Sequence, residues 1–418
     1  MNSLRLNEAD IDPDALHIVR TLQRRGHVTY LVGGCVRDLL LGKNPKDFDI
    51  VTNARPKDVR QAIHNSFIIG RRFRLVLVKR GDIQFEVSTF RREAGPEDLE
   101  QDEAPTGDNL FGTPEEDARR RDFTINALFY DPVKHDLIDY ADGLRDLRAG
   151  VVKMIGDPNV RLIEDPIRIL RGIRLAHMIR FSIDGSLREA IQTHAPQLAT
   201  TALPRRREEI LKFLRLDNPA LPLLTSLDLG VLDHLSPTLA KLLRDTSRTE
   251  LLLNYLFSYH DKKLETPTEL FAGLVMAYYL TTQNGEFSTS LRTHDILDDE
   301  ATSRFMRDEL GMFKSEQLEV AKAMHLMTLF SRKKEFENRG DRRRKTLVDS
   351  EAFPLALKIA EREHWLSPQD LHFWQQERDR IGSEPRPRGP GGGGGGGRRG
   401  RRRRKPRRPP GQTPAPGS

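Results

Sequence analysis

Apolar and polar positions follow two different rhythms along the chain. From Val28 to Phe129, short β-branched runs (VTYLV, FDIVT, RLVLV, IQFEVSTF) are interleaved with short helical stretches such as residues 56–64, which predicts a mixed α/β unit. Beyond Asp157 the strand signals stop. Segments such as IRILRGIRLAHMI, EEILKFLRL and ELLLNYLFSYH repeat apolar residues at helical spacing, so the rest of the chain is expected to be helical. The longest strongly apolar stretch, residues 270–280, falls well short of the ~20 residues a membrane-spanning helix needs and reads as a buried helix.

Two segments lack a packing pattern. Residues 93–117 hold ten acids and little to bury, and are expected to form a mobile loop inside the first unit. Residues 384–418 run from EPRPRGP through seven glycines to RRGRRRRKPRRPPG, and cannot bury enough apolar surface to offset the entropy of ordering.

The 418 residues allow two or three domains at roughly 100–200 residues each. The formal charge is +7, but residues 384–418 carry eleven basic side chains against one acid, leaving the remainder at −3. The basicity belongs to a tail, which argues against a protein that coats DNA along its whole surface. A single cysteine, Cys35, excludes a disulfide framework and a structural cysteine-zinc site. The first residues, MNSLRLNEAD, lack the basic and apolar regions of a secretory signal, so a soluble cytoplasmic protein without membrane association is expected.

Residues 31–52, LVGGCVRDLLLGKNPKDFDIVT, are the most informative. A strand ends at Gly33 and Gly34, and a helix begins near Val36. Backbone amides at such a turn can face an anion, and Arg37, one turn on, can add a charged fork to a phosphate. In the triplet Asp47-Phe48-Asp49, strand alternation sends both carboxylates to one side and Phe48 to the other. Two like charges so placed suit Mg²⁺, or Mn²⁺, ligated by oxygen. Such a pair can hold two ions, one activating a hydroxyl and one clamping a triphosphate, which is the chemistry of phosphoryl or nucleotidyl transfer. Glu86 and Asp122 are both candidates for a third acid.

In ARRRDFTINALFYD, residues 118–131, Asp122 can accept from a sugar hydroxyl and Asn126 can both donate and accept. In EDPIRILRGIRLA, residues 164–176, Glu164, Arg168 and Arg171 share one helical face, with Asp165 three residues before Arg168. A carboxylate accepting from an amino group beside a guanidinium donating to a ring nitrogen selects adenine and cytosine over guanine and uracil without a template. Taken alone, Asp165 also fits a helix cap and the remainder a surface ion pair. His-Asp dipeptides at His135, His260 and His294 form no coherent metal-hydrolase set.

Residues 30–52 resemble the signature of the nucleotidyltransferase superfamily, in the branch of class II CCA-adding enzymes and bacterial poly(A) polymerases, through Gly33, Gly34, Arg37, Asp38, Asp47 and Asp49. The resemblance implies a catalytic, metal-binding role for Asp47 and Asp49. It implies ribose and phosphate contacts for Arg121, Asp122 and Asn126, pairing of Asp165 and Arg168 with the incoming base, and approach of Arg171 and Arg174 to its phosphates. Residues 139–152 are similar to the family's head-to-neck hinge, and Arg205, Glu209 and Lys212 to its neck helix.

Within the branch, FIIGRRFRLVLV (residues 67–78) and residues 339–376 resemble bacterial poly(A) polymerases. Arg71 and Arg72, with Arg398, Arg399, Arg401, Arg402, Arg403 and Arg404 of the tail, are expected to attract RNA without regard to sequence. The expectation is an α+β protein: a nucleotidyltransferase head (1–150), a helical neck (151–215), a helical RNA-binding body (216–382) and a disordered basic tail (383–418). It would add AMP from ATP to RNA 3′ ends with two Mg²⁺ ions. CCA addition to tRNA and a catalytically silent RNA-binding protein are the alternatives.

Overall fold

The computed structural model describes residues 6–70, 74–93, 110–257, 264–362 and 364–382. Arg71, Arg72, the tail arginines and most of the acidic stretch lie outside the described residues. The head opens with α1 (Pro13–Arg24), where the Asp12 carboxylate accepts from the Asp14 and Ala15 amides and Pro13 takes the first helical position. Its apolar stripe, Ala15, Ile18, Val19 and Leu22, is buried.

Seven strands form one sheet in the order β3-β4-β5-β2-β1-β6-β7. They are β1 (Thr29–Val32), β2 (Asp49–Thr52), β3 (Ser66–Ile69), β4 (Leu75–Arg80), β5 (Ile83–Thr89), β6 (Leu128–Asp131) and β7 (Asp136–Asp139). β1 runs antiparallel to both neighbours, whereas β2 and β5 are parallel, with Asp49 opposite Glu86. The main core covers one side of the sheet. Val32, Val51, Phe90, Ala118, Ala127 and Phe129 form a smaller apolar cluster.

The sheet leads through α5 (Gly143–Ala149) into the neck helices α6 (Pro158–Glu164), α7 (Ile167–Ile179), α8 (Gly185–His194) and α9 (Leu203–Leu214). Gly143 is obligatory here, because a Cβ would stand 2.3 Å from the Thr124 carbonyl oxygen. The body beyond is helical, including α10 (Pro267–Thr282), α11 (Lys314–Phe330), α12 (Asp341–Val348), α13 (Phe353–Arg362) and α14 (Pro368–Gly382). Trp374 is fully buried against Phe330, Phe336, Phe353 and Phe373, and its indole N–H donates to the Phe330 carbonyl. The apolar stretch 270–280 lies within α10, as its pattern predicts. Among the described residues no helix is long and apolar enough to cross a membrane.

Three expectations need correction. Asp47 precedes β2 instead of lying within it, although the exposed-buried-exposed alternation of Asp47, Phe48 and Asp49 holds. The end of the acidic stretch is an ordered helix, α4 (Pro114–Arg119), closed by a reciprocal Thr113–Glu116 capping box. Strand pairing also recurs once after residue 157, where Ser182–Ile183 pairs with Val151–Val152.

Candidate active site

The turn between β1 and α2 (Gly34–Leu40) requires a glycine. Gly33 sits at φ +80° and ψ −130°, which a side chain rarely adopts. A Cβ there would stand 3.4 Å from Arg121 Nη1, 3.7 Å from the Asn126 carbonyl oxygen and 3.8 Å from Asp49 Oδ2. The bare turn thus faces a cationic nitrogen and one of the two aspartates. Its own amide is taken by the Leu128 carbonyl at 3.1 Å, which leaves the Gly34 side of the turn for an anion. Cys35, beside it, is buried and donates to the Val32 carbonyl; burial pushes its thiol up to about 12, so it stays protonated and inert.

Asp47 and Asp49 stand exposed at the start of β2, and the parallel register brings Glu86 of β5 beside Asp49. Protein crowding around Asp49 raises its carboxyl; Arg121 works against that shift and Asp47 adds to it. Glu86 is raised by burial, then by the charges of Asp49 and Asp47. These three acids therefore repel one another across one end of the sheet. Among the described residues no group of three or more His, Cys, Asp or Glu side chains is drawn together tightly enough to cage an ion unaided. The Asp47–Asp49 pair, flanked by Glu86, nevertheless fits a divalent cation, because an oxygen-bound ion would relieve that repulsion.

The cations around the turn are held from below. Asp117 of α4 is fully buried and accepts from both Arg120 (3.0 and 2.7 Å) and Arg121 (3.1 and 2.9 Å), as well as from the Arg91 amide. Burial raises its carboxyl, but Arg121 and Arg120 together outweigh that and hold it below the usual range. Arg121 also lies over the Phe129 ring, 5.5 Å from its centroid. Asp117 is absent from the residues singled out in the sequence. Its signal was the capping box Thr113-x-x-Glu116, which starts a helix placing Asp117 three and four residues before Arg120 and Arg121.

Arg37 is only 3% exposed. It donates to Asn126 Oδ1 at 2.5 Å and to Asp38 at 2.8 Å, joining α2 to the segment before β6. Its guanidinium organises the floor of the site and is not a free fork.

Asp122 lies between two neck arginines, accepting from Arg168 Nε at 3.0 Å and ion-paired with Arg171 Nη2 at 2.9 Å. The structure thus brings Asp122 to α7, and Glu86 is the acid beside the aspartate pair. Arg168 also donates to Glu164 and to the Arg161 carbonyl. Asp165 is held in a two-point pair with Arg205 of α9, at 2.9 and 2.8 Å, instead of with Arg168. Arg174 pairs with Glu209; burial raises that carboxyl, but Arg174 and Lys212 hold it below the usual range. Arg161 fastens the neck to the head, donating to Glu93 and to the carbonyls of Arg120 and Arg121. Lys46, the residue before Asp47, joins Arg174, His177, Arg180, Lys212 and Arg215 around a cleft of about 560 Å³.

A mixed sheet with a glycine turn and paired aspartates at a strand start sits on a basic helical neck. Residues 29–153 match the poly A polymerase head domain, and residues 180–243 match the probable RNA and SrmB-binding site of polymerase A. The chain is 41% identical over 226 residues to poly(A) polymerase I of Haemophilus influenzae, covering 51% of this chain and 50% of that protein. It is 35% identical over 204 residues to a CCA-adding enzyme of Lactobacillus helveticus, covering 49% and 50%. The chain therefore spans about half the length of the curated relatives it matches. The Bacillus stearothermophilus CCA-adding enzyme in complex with CTP shares the fold, with a TM-score of 0.62 at 24% identity over 89% of this chain and 83% of that one. These likenesses are to poly(A) polymerases and CCA-adding enzymes, and the two matched regions together span less than half of this chain.

Proposed function

We propose that this protein is a template-independent polynucleotide adenylyltransferase that adds AMP from ATP to RNA 3′ ends and releases pyrophosphate. The observation that carries the reading is the convergence of Asp47, Asp49 and Glu86 beside the bare Gly33 turn and Arg121. Asp47 and Asp49, with Glu86 at the flank, are the residues that would hold Mg²⁺ or Mn²⁺. When bound, such ions supply charge neutralisation for the triphosphate and a lowered pKa for the attacking hydroxyl.

The chain's own residues supply the positioning. The glycine turn admits the phosphates close to backbone, and Arg121, aimed by Asp117 and Phe129, meets their charge. Arg171 and Arg174 extend that positive edge along α7. Asp165, held in place by Arg205, accepts from the amino group of adenine through its remaining lone pairs, and Arg168 donates to the ring nitrogen once it exchanges its present partner, Asp122. The basic cleft at Lys46 suits the incoming RNA strand, whose 3′-hydroxyl attacks the α-phosphate in line with the departing pyrophosphate. Residues 1–150 and 151–215 would thus divide the chemistry from the base reading, and residues 216–382 would hold RNA.

CCA addition is the second reading, favoured by one feature: a carboxylate-guanidinium reader accepts cytosine as readily as adenine. Incorporation onto an arbitrary RNA, with each nucleoside triphosphate supplied alone, separates the two. Long products from ATP alone support adenylation. Addition that stops after a fixed short length, and only on tRNA, overturns it.

A further inference from the structure

We propose that the cleft between α11 and α12 is a separate site for the phosphodiester backbone of single-stranded RNA, outside both matched domains. The cleft measures about 620 Å³. Lys322, Leu326 and Leu329 line it from one face of α11, and Arg342, Arg343 and Leu347 from α12, with Arg339 at its end. No Asp or Glu is among its lining residues.

The way α12 divides its charge points to a polyanion. Residues 342–345 are four consecutive cations. Arg344 turns to Asp341, and Lys345 reaches Asp349 and the Ile381 carbonyl. Arg342 and Arg343 point instead into the cleft, where they meet Lys322 and Arg339, and among the described residues none of these four has an acidic partner. Four cations lining one cleft without an acidic partner among the described residues give it a positive potential that attracts an anion. The leucine floor adds an apolar surface on which bases can rest between phosphate contacts. His325 contributes one more polar group: its Nδ1 is engaged by the Leu291 carbonyl, so Nε2 is the ring nitrogen left for a ligand.

A lone phosphate would need only one or two of these cations. Their spread across two helices and the intervening segment suits successive phosphates of an extended strand. The identity of the polyanion, though not the existence of the site, rests on the RNA-extending function proposed above.

The test compares the full chain with a Lys322→Ala, Arg342→Ala, Arg343→Ala variant, titrated with labelled oligo(A) over a series of salt concentrations. Loss of three phosphate contacts is expected to make the slope of log affinity against log salt shallower by about 2, at roughly 0.7 per contact. Melting temperature and single-AMP addition to saturating RNA should be unchanged. The single variant Arg343→Gln, should the triple one fail to fold, is expected to change the slope by about 0.7. An unchanged slope overturns the proposal. So does competition by poly-L-glutamate that the variant loses while its RNA slope stays the same, which would assign the cleft to an acidic polypeptide. A reduced slope in a protein that shows no adenylation would uphold the site and refute the proposed function.

Discussion

Replacing Asp117 with Asn tests how the site is held together. The carboxylate is fully buried and receives four guanidinium hydrogen bonds of 2.7–3.1 Å, together with the Arg91 amide. Asn keeps the volume, so no cavity opens, but it removes the negative charge that compensates two arginines and offers one acceptor oxygen in place of two. Breaking a buried pair by removing one partner costs about 3–5 kcal/mol. The side chains of Arg120 and Arg121 keep 29% and 21% of their exposure to water, so the expected loss is near the lower end, about 3 kcal/mol, read by urea denaturation at neutral pH. The pH dependence has a definite sign. Because the Asp117 carboxyl titrates below its ordinary value of 3.8, its contribution is fully present above that value and disappears as pH falls through the lower folded-state value. The gap between wild type and variant should therefore hold at neutral pH and close only below about 3.8. In activity, the KM for ATP should rise more than kcat falls, since Arg121 loses its anchor. A variant within about 1 kcal/mol of wild type, with unchanged KM, would refute the reasoning.

Three further outcomes follow from the geometry. Gly33→Ala forces a side chain into a positive-φ position, at a cost of about 1–3 kcal/mol, and sets a methyl against Arg121 and Asp49; steady-state kinetics should show KM for ATP at least about tenfold higher, or about 1.4 kcal/mol. Arg205→Ala frees Asp165 from its two-point pair, so selectivity for ATP over GTP and UTP should fall, with Arg205→Lys restoring part of it; unchanged selectivity would deny Arg205 a positioning role. Asp49→Asn should melt higher than wild type in EDTA at neutral pH. The wild-type carboxyl is raised by the protein crowded around it and by Asp47, so its folded state holds a proton more tightly than the unfolded chain and is penalised once the group ionises. Added Mg²⁺ should narrow that difference by stabilising the wild type, and a lower melting point for the variant in EDTA would contradict the repulsion.

The parts of the site that follow from local pattern were legible in the sequence. The β1-turn-α2 unit, the outward-facing Asp47 and Asp49 around a buried Phe48, and the long buried helix α10 all follow from strand alternation or helical periodicity. Partners set by tertiary packing were not. Glu86 and Asp122 stood as equal candidates for the third acid, and only the parallel pairing of β2 with β5 put Glu86 beside Asp49, while α7 drew Asp122 to Arg168 and Arg171. Likewise Asp165 and Arg168 are three residues apart, yet Asp165 is claimed by Arg205, forty residues away on α9. Asp117 was hidden because a run of acids reads as solvated surface, whereas a capping box and two following arginines make one member of that run the buried anchor of the site.

Whether Asp47 and Asp49 carry nucleotidyl transfer is decided by incorporation of labelled AMP onto a generic RNA by the intact chain beside Asp47→Ala and Asp49→Ala proteins. The wild type should make long adenylate tails in a Mg²⁺-dependent manner, and both variants, with their folds intact, should lose that synthesis by orders of magnitude. Wild-type rates retained by either variant would contradict that role.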